Sequence, residues 1–317
     1  MKTRFLLPIA VVLSLSFFAA CTKEKGAETE TDYNTETTTH TDDQSRFSGE
    51  IDAVSNDADL ALEVTTSFAG RQAATEGIMT TDGIQPICDA VITFDTASNP
   101  RTITITYNGT ACIGTRTRTG VVVLSMANNT RWKNAGAVIN VTFQNFKVTR
   151  IADNKSITIN GTQAYTNVTG GLLINLPTQA VTHTITSSNM SVTFDDNTQR
   201  TWQVARQRAF TYSNGIVVTT TGTHTEGNTS GIAEWGTNRF GTAFTTAITQ
   251  PLVFTQACNA RLVSGKVVHK TSLYSAAVTF GLDAAGNATT CPGTGNYYFK
   301  LVWTGPLGRE HSSIWPY

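Results

Sequence analysis

No GxSxG, no HExxH and no phosphate-cradling glycine loop occurs in the 317 residues. The common serine-hydrolase, zinc-protease and nucleotide-binding signatures are therefore missing. Charged side chains make up only 15% of the chain. No Lys/Arg cluster reaches the density of a nucleic-acid patch, so no nucleic-acid partner is expected. The five cysteines include no CxxC pair, and His40 and His311 have no metal-ligand neighbour. No metal and no cofactor is expected.

What is abundant is Thr, Asn, Gly and Val, a composition that favours strands and turns over helices. Formal charge is zero, yet it is segregated. Thr22 to Glu63 carries twelve acids against three bases, whereas Val64 to the end carries eighteen bases against eleven acids. An acidic leader thus precedes a mildly basic body. Residues 1–20 combine Lys2 and Arg4 with an apolar run from Phe5 to Phe18, which is the pattern of a secretory signal and too short for a membrane span. Residues 21–46 contain almost no apolar side chain and are expected to be a disordered acidic tether. Extended, such a tether spans tens of ångströms at about 3.3 Å per residue.

One helix is expected, over Glu50 to Thr66. Ile51, Val54, Ala58, Ala61 and Leu62 fall on one stripe, Ser48 stands as N-cap, and Glu50 and Asp52 lie in the first turn. With the irregular stretch that follows, residues 47–86 are expected to pack on a β-rich body of residues 87–317. In that body the period is two. Ile103, Ile105 and Tyr107 share one face, and Thr102, Thr104 and Thr106 the other. Ile139, Val141 and Phe143 differ in parity from Phe146 and Val148, which predicts a β-bulge at Gln144-Asn145. Short strands recur to residue 304 with turn residues between them, and helical patterns are missing. The expected fold is all-β, a predominantly antiparallel sandwich or rolled, meandering sheet with one short N-terminal helix.

Ala19-Ala20-Cys21 resembles the lipobox of bacterial lipoproteins, in which the cysteine is acylated and becomes the first residue. That resemblance makes Cys21 the lipidation site and the bilayer its partner. Thr22 in place of Asp after it implies an outer-membrane address, facing the periplasm or the cell surface. Four cysteines remain, and an even number in an exported chain argues for disulfides with three connectivities open. Cys88 with Cys112 and Cys258 with Cys291 each close a local loop, of 25 and 34 residues, a stabilisation of roughly 3 to 4 kcal/mol in the chain-entropy model. Both pairs precede a Gly-bearing loop and an apolar strand, which suggests two similar halves.

The segments GTRTRTGVVVLSM (114–126), ITSSNMSVTFDDNTQRTWQVARQRAFTY (185–212), HTEGNTSGIAEWGTNRFGTAF (224–244), PLVFTQACNARLVSGKV (251–267) and FKLVWTGPLG (299–308) resemble an uncharacterised family of β-rich lipoproteins of Bacteroidota. The resemblance implies an exported, lipid-anchored protein and carries no activity with it. Asp95-Thr96-Ala97 also matches the short O-glycosylation pattern of that phylum, which makes Thr96 a candidate acceptor.

Candidate chemistry is thin. Arg206 and Arg208 share parity with Trp202, Val204 and Phe210, so an unbroken strand aims two guanidinium groups at the apolar side, where burial without partners is costly. A bulge or sheet end resolves this, or a groove in which Trp202, Arg206, Arg208 and Trp235 bind a sugar or anion. His183 reads as a satisfied, partly buried histidine. His224, Glu226 and Glu234 are the one constellation suited to acid–base work. The sequence thus supports a non-enzymatic cell-envelope lipoprotein, structural or ligand-binding. A glycan- or solute-binding accessory protein is the alternative, and a hydrolase near His224 the second.

Overall fold

The computed structural model describes residues 25–70, 87–112, 115–187, 189–258, 261–289, 297–305 and 307–317. The expected signal peptide, the lipidation site Cys21, most of the irregular segment before residue 87, and Cys291 lie outside them.

Among the described residues, sixteen strands form one antiparallel sheet. In chain order they are β1 (Ala90–Asp95), β2 (Arg101–Asn108), β3 (Arg116–Met126), β4 (Ala137–Arg150), β5 (Ser156–Asn167), β6 (Val181–Ser187), β7 (Met190–Phe194), β8 (Gln199–Tyr212), β9 (Ile216–Gly222), β10 (His224–Glu226), β11 (Thr229–Thr237), β12 (Ala243–Thr255), β13 (Arg261–Thr271), β14 (Ser275–Leu282), β15 (Tyr298–Thr304) and β16 (Glu310–Pro316). Each lane neighbours the next in sequence, a meander that runs from β1 to β16. Two lanes are each shared by a pair of strands. β6 and β7 lie end to end between β5 and β8, and β9 and β11 lie end to end between β8 and β12, with β10 folding out as a small hairpin against β11.

Alternation sets the inner face. Ile103, Ile105 and Tyr107 of β2, Val122 and Leu124 of β3, and Ile139, Val141 and Phe143 of β4 are all buried. The expected bulge is present, since the β4–β5 register shifts between Phe143 and Phe146 and Asn145 takes a left-handed φ of 49°. The extra residue returns Phe146 and Val148 to the core. Opposite it, Gly120 of β3 has a φ of 100°, and a Cβ there would strike the Asn145 carbonyl. Glycine is required at that crossing.

On the inner face lies α1 (Lys25–Val64), a 40-residue helix. Of the disordered tether expected over residues 21–46, residues 21–24 lie outside the described residues, and residues 25–46 are overturned, because the helix runs through them and Thr37, His40, Thr41, Asp43 and Gln44 are buried. Ser48, expected as an N-cap, is a mid-helix residue. The helix lacks an apolar stripe before Phe47, so its first half is held by polar contacts instead. After Phe47 the stripe is as expected: Ile51, Val54, Ala58, Ala61 and Leu62 are fully buried, each contributing about 1.5–3 kcal/mol where the side chain is large. After Thr65 a single turn, α2 (Thr66–Ala69), ends at Gly70 with φ 80°. The carbonyls of Phe68 and Ala69 accept from the amides of Trp132 and Lys133.

Cys88 and Cys112 form the expected disulfide, which clips the β1–β2 hairpin. Cys258, in a turn between β12 and β13, is also disulfide-bonded. Among the described residues no helix is long and apolar enough to cross a membrane.

Candidate functional site

Trp202, Arg206, Arg208, His183 and Glu234 meet at the contact between α1 and the sheet. Glu234 of β11 is fully buried and is the centre of the cluster. Its carboxylate accepts from Trp202 Nε1 at 2.8 Å, from Ser48 Oγ at 2.6 Å, and from Gln44 Nε2, and it pairs with the Arg206 guanidinium. Arg206 also donates to Asp52 Oδ1 and Ser48 Oγ, each at 3.0 Å. Arg208 reaches Asn56 Oδ1 at 2.6 Å, lies 3.9 Å from Asp59 Oδ2, and stacks over Phe210. Neither a bulge nor a sheet end relieves the two arginines; β8 runs unbroken and the helix supplies their partners. The groove expected to bind an anion or sugar through Trp202, Arg206 and Arg208 is occupied by the chain itself.

The same arrangement repeats along α1. Glu50 meets Arg116 at 2.8 Å, and Asp57 meets Arg118 at 2.8 Å. Arg118 is held on its other side by Asp89 through two bonds of 2.6–2.7 Å. Asp43 takes Arg239 through two bonds of 2.7 Å, and Arg239 also reaches Asp195. Asp42 meets Arg150 at 2.6 Å nearer the surface. Glu63 accepts the amides of Leu173 and Ile174. Burial pushes Asp43, Glu50, Asp57 and Glu63 above the ordinary carboxylate range, against the pull of the arginines or amides that face them. For Arg118 and Arg239 burial works against the charge, and the facing carboxylates more than restore it. The acidic leader and basic body are thus the two sides of one internal contact.

His183, expected to be satisfied and partly buried, is instead almost fully buried, with Nδ1 3.3 Å from Asp59 Oδ1, its ring against Trp132 and Phe210, and Nε2 without a hydrogen-bond partner among the described residues. Tyr165 Oη lies 2.9 Å from Ser55 Oγ and donates to Gln163 at 3.1 Å. The acid–base trio does not assemble. Glu234 points inward, while the next residue, Trp235, is on the outer face stacked on His224 at 4.1 Å, and Glu226 is exposed in the β10 hairpin. Thr96 is exposed in the β1–β2 turn, beside Asp95, which caps that turn by accepting from Ala97 and Ser98. Among the described residues no group of three or more His, Cys, Asp or Glu is placed to hold a metal ion.

Sequence reasoning missed His40, assigned to the tether. It is fully buried in an aromatic box with Trp202, Phe244, His269 and Tyr274. A signal was available for the acids: Asp43, Glu50 and Asp57 recur every seven residues beside the apolar stripe, the spacing of one helix flank.

Compared with known protein families, curated proteins and solved structures, the chain matches none.

Proposed function

We propose that this protein is a non-enzymatic, lipid-anchored envelope protein whose sheet is folded around the helix that follows its anchor. One observation carries the non-catalytic part. The inner face, where a meandering sheet would receive a ligand, is filled by α1, and the polar side chains best suited to catalysis or ligand capture are spent on Glu234, Arg206, Arg208 and Asp59. The anchor rests on the lipobox-like Ala19-Ala20-Cys21.

The helix changes what the anchor does mechanically. It starts four residues after Cys21 and touches the sheet by Asn34, which accepts from Trp303 Nε1 at 2.8 Å. A helix rises about 1.5 Å per residue. Four extended residues and nine helical ones hold the body within about 27 Å of the acyl chains, where the same thirteen residues fully extended reach about 43 Å. The role that follows is a structural one close to the bilayer surface.

Metabolic labelling with palmitate, followed by membrane fractionation, tests the reading. The parent chain is expected to carry label and sediment with the outer membrane, and Cys21→Ala to lose both. An unlabelled parent, or a Cys21→Ala chain that stays in the membrane with its label, contradicts it.

A further inference from the structure

His40 and His269 are an unusual pair to find inside a protein. Both rings are buried, their centroids 5.9 Å apart and their planes at 78°. His40 comes from α1 and His269 from β13. Among the described residues neither ring nitrogen of His40 has a hydrogen-bond partner, and the Tyr274 ring lies beside it. His269 Nδ1 lies 2.9 Å from Thr246 Oγ1. The walls are the rings of Trp202 on β8 and Phe244 on β12, 6.1 and 4.7 Å from His40. Such a box accepts two neutral imidazoles and rejects two cations, because each charge would lose its hydration and face the other.

We propose that His40 and His269 form a proton-operated latch, which frees the first half of α1 from the sheet when the surroundings acidify. Burial, together with the charge of His269, lowers His40 to about 3, and burial lowers His269 to about 4. Both values lie below the ordinary 6.5, so the closed box binds fewer protons than the open one. Its stabilisation is complete above pH 6.5 and is lost progressively as pH falls towards 4.

The other charged groups around the box do not cancel this. On α1, Glu36 and Asp43 act on the Tyr274 phenol, and Asp43 is held by Arg239. Glu36 accepts from Asn238 at 3.0 Å in the β11–β12 turn. Behind Trp202 lies Glu234, engaged with Arg206. Asp43 is raised, so its protonation favours the closed state and offsets part of one histidine's effect. In the second half of α1, Glu50, Asp57 and Glu63 are raised as well, so their protonation favours the closed state there. Acid therefore loosens one half of the helix and spares the other.

The test is amide hydrogen exchange on the intact chain at pH 7 and pH 5, corrected for the intrinsic rates, with protection of residues 33–43 divided by that of residues 51–62. The ratio is expected to fall by roughly 25-fold for each histidine that regains its ordinary pKa in the open state. In His40→Phe with His269→Phe, which keeps the rings and removes the protons, the ratio is expected to stay constant. A constant ratio in the parent, or an equal fall in the double variant, overturns the latch. Should the double variant not fold, the parent's histidine ring resonances decide: both rings neutral in the closed state at pH 5 supports the latch, and ordinary titration with the helix still closed overturns it.

Discussion

The two halves of α1 lie on one sheet by different physics. From Phe47 to Leu62 the helix presents a continuous apolar stripe, with acids on its flanks meeting arginines of β3 and β8. From Asn34 to Asp43 the buried side chains are Thr37, His40, Thr41 and Asp43. Two of them are satisfied by the helix itself: Thr37 Oγ1 donates to the Tyr33 carbonyl and Thr41 Oγ1 to the Thr37 carbonyl, each at 2.8 Å. Burial of apolar area, a contribution that does not depend on pH, anchors the second half. The first half depends on neutral imidazoles and a few charge-assisted bonds, and so answers to solution conditions.

The largest blow to the comparison falls where the halves meet. Glu234→Ala leaves the Arg206 guanidinium buried without its main partner, and a loss of about 3–5 kcal/mol in denaturant unfolding is expected. Replacing Glu234 and Arg206 together by Leu and Met should recover much of it, which separates an orphaned charge from a lost attraction. Next, Ile51→Ala in the apolar half is expected to cost about 2–5 kcal/mol through cavity formation. Thr37→Ala in the polar half removes only a bond to the helix's own backbone, and about 1 kcal/mol or less is expected. Smallest is Asp42→Asn at the half-exposed pair with Arg150. A change below about 1 kcal/mol that shrinks further in 1 M salt is expected. Equal costs for Ile51→Ala and Thr37→Ala would erase the distinction.

How far the sequence could be read follows the same division. Strands showed themselves because alternation is dictated by one buried face, as in Ile103, Ile105 and Tyr107. The bulge at Gln144-Asn145 showed itself because parity broke there and nowhere else in β4. β11, the lane that carries Glu234, was hidden by the Gly- and Asn-rich hairpin before it. The second half of α1 was legible from its stripe. Its first half was not, because a helix that buries Thr, His and Asp has the composition of a disordered segment. Only the facing side chains reveal the difference, and those are distant in sequence: Glu36 lies 202 residues from Asn238, and Asn34 lies 269 from Trp303. The inward parity of Arg206 and Arg208 and the segregation of charge were both visible, yet each was ambiguous until the acids of α1 were known to be helical.

Whether residues before 46 belong to the folded core is settled most directly by comparing the denaturant midpoints of chains starting at residue 22 and at residue 46, in the same buffer at pH 7. The shorter chain lacks the His40 box, the Asp43–Arg239 pair and the Gln44 bond to Glu234. A folded leader predicts that it unfolds at clearly lower denaturant or fails to fold. Identical midpoints and slopes would mean that the segment is a free tether after all.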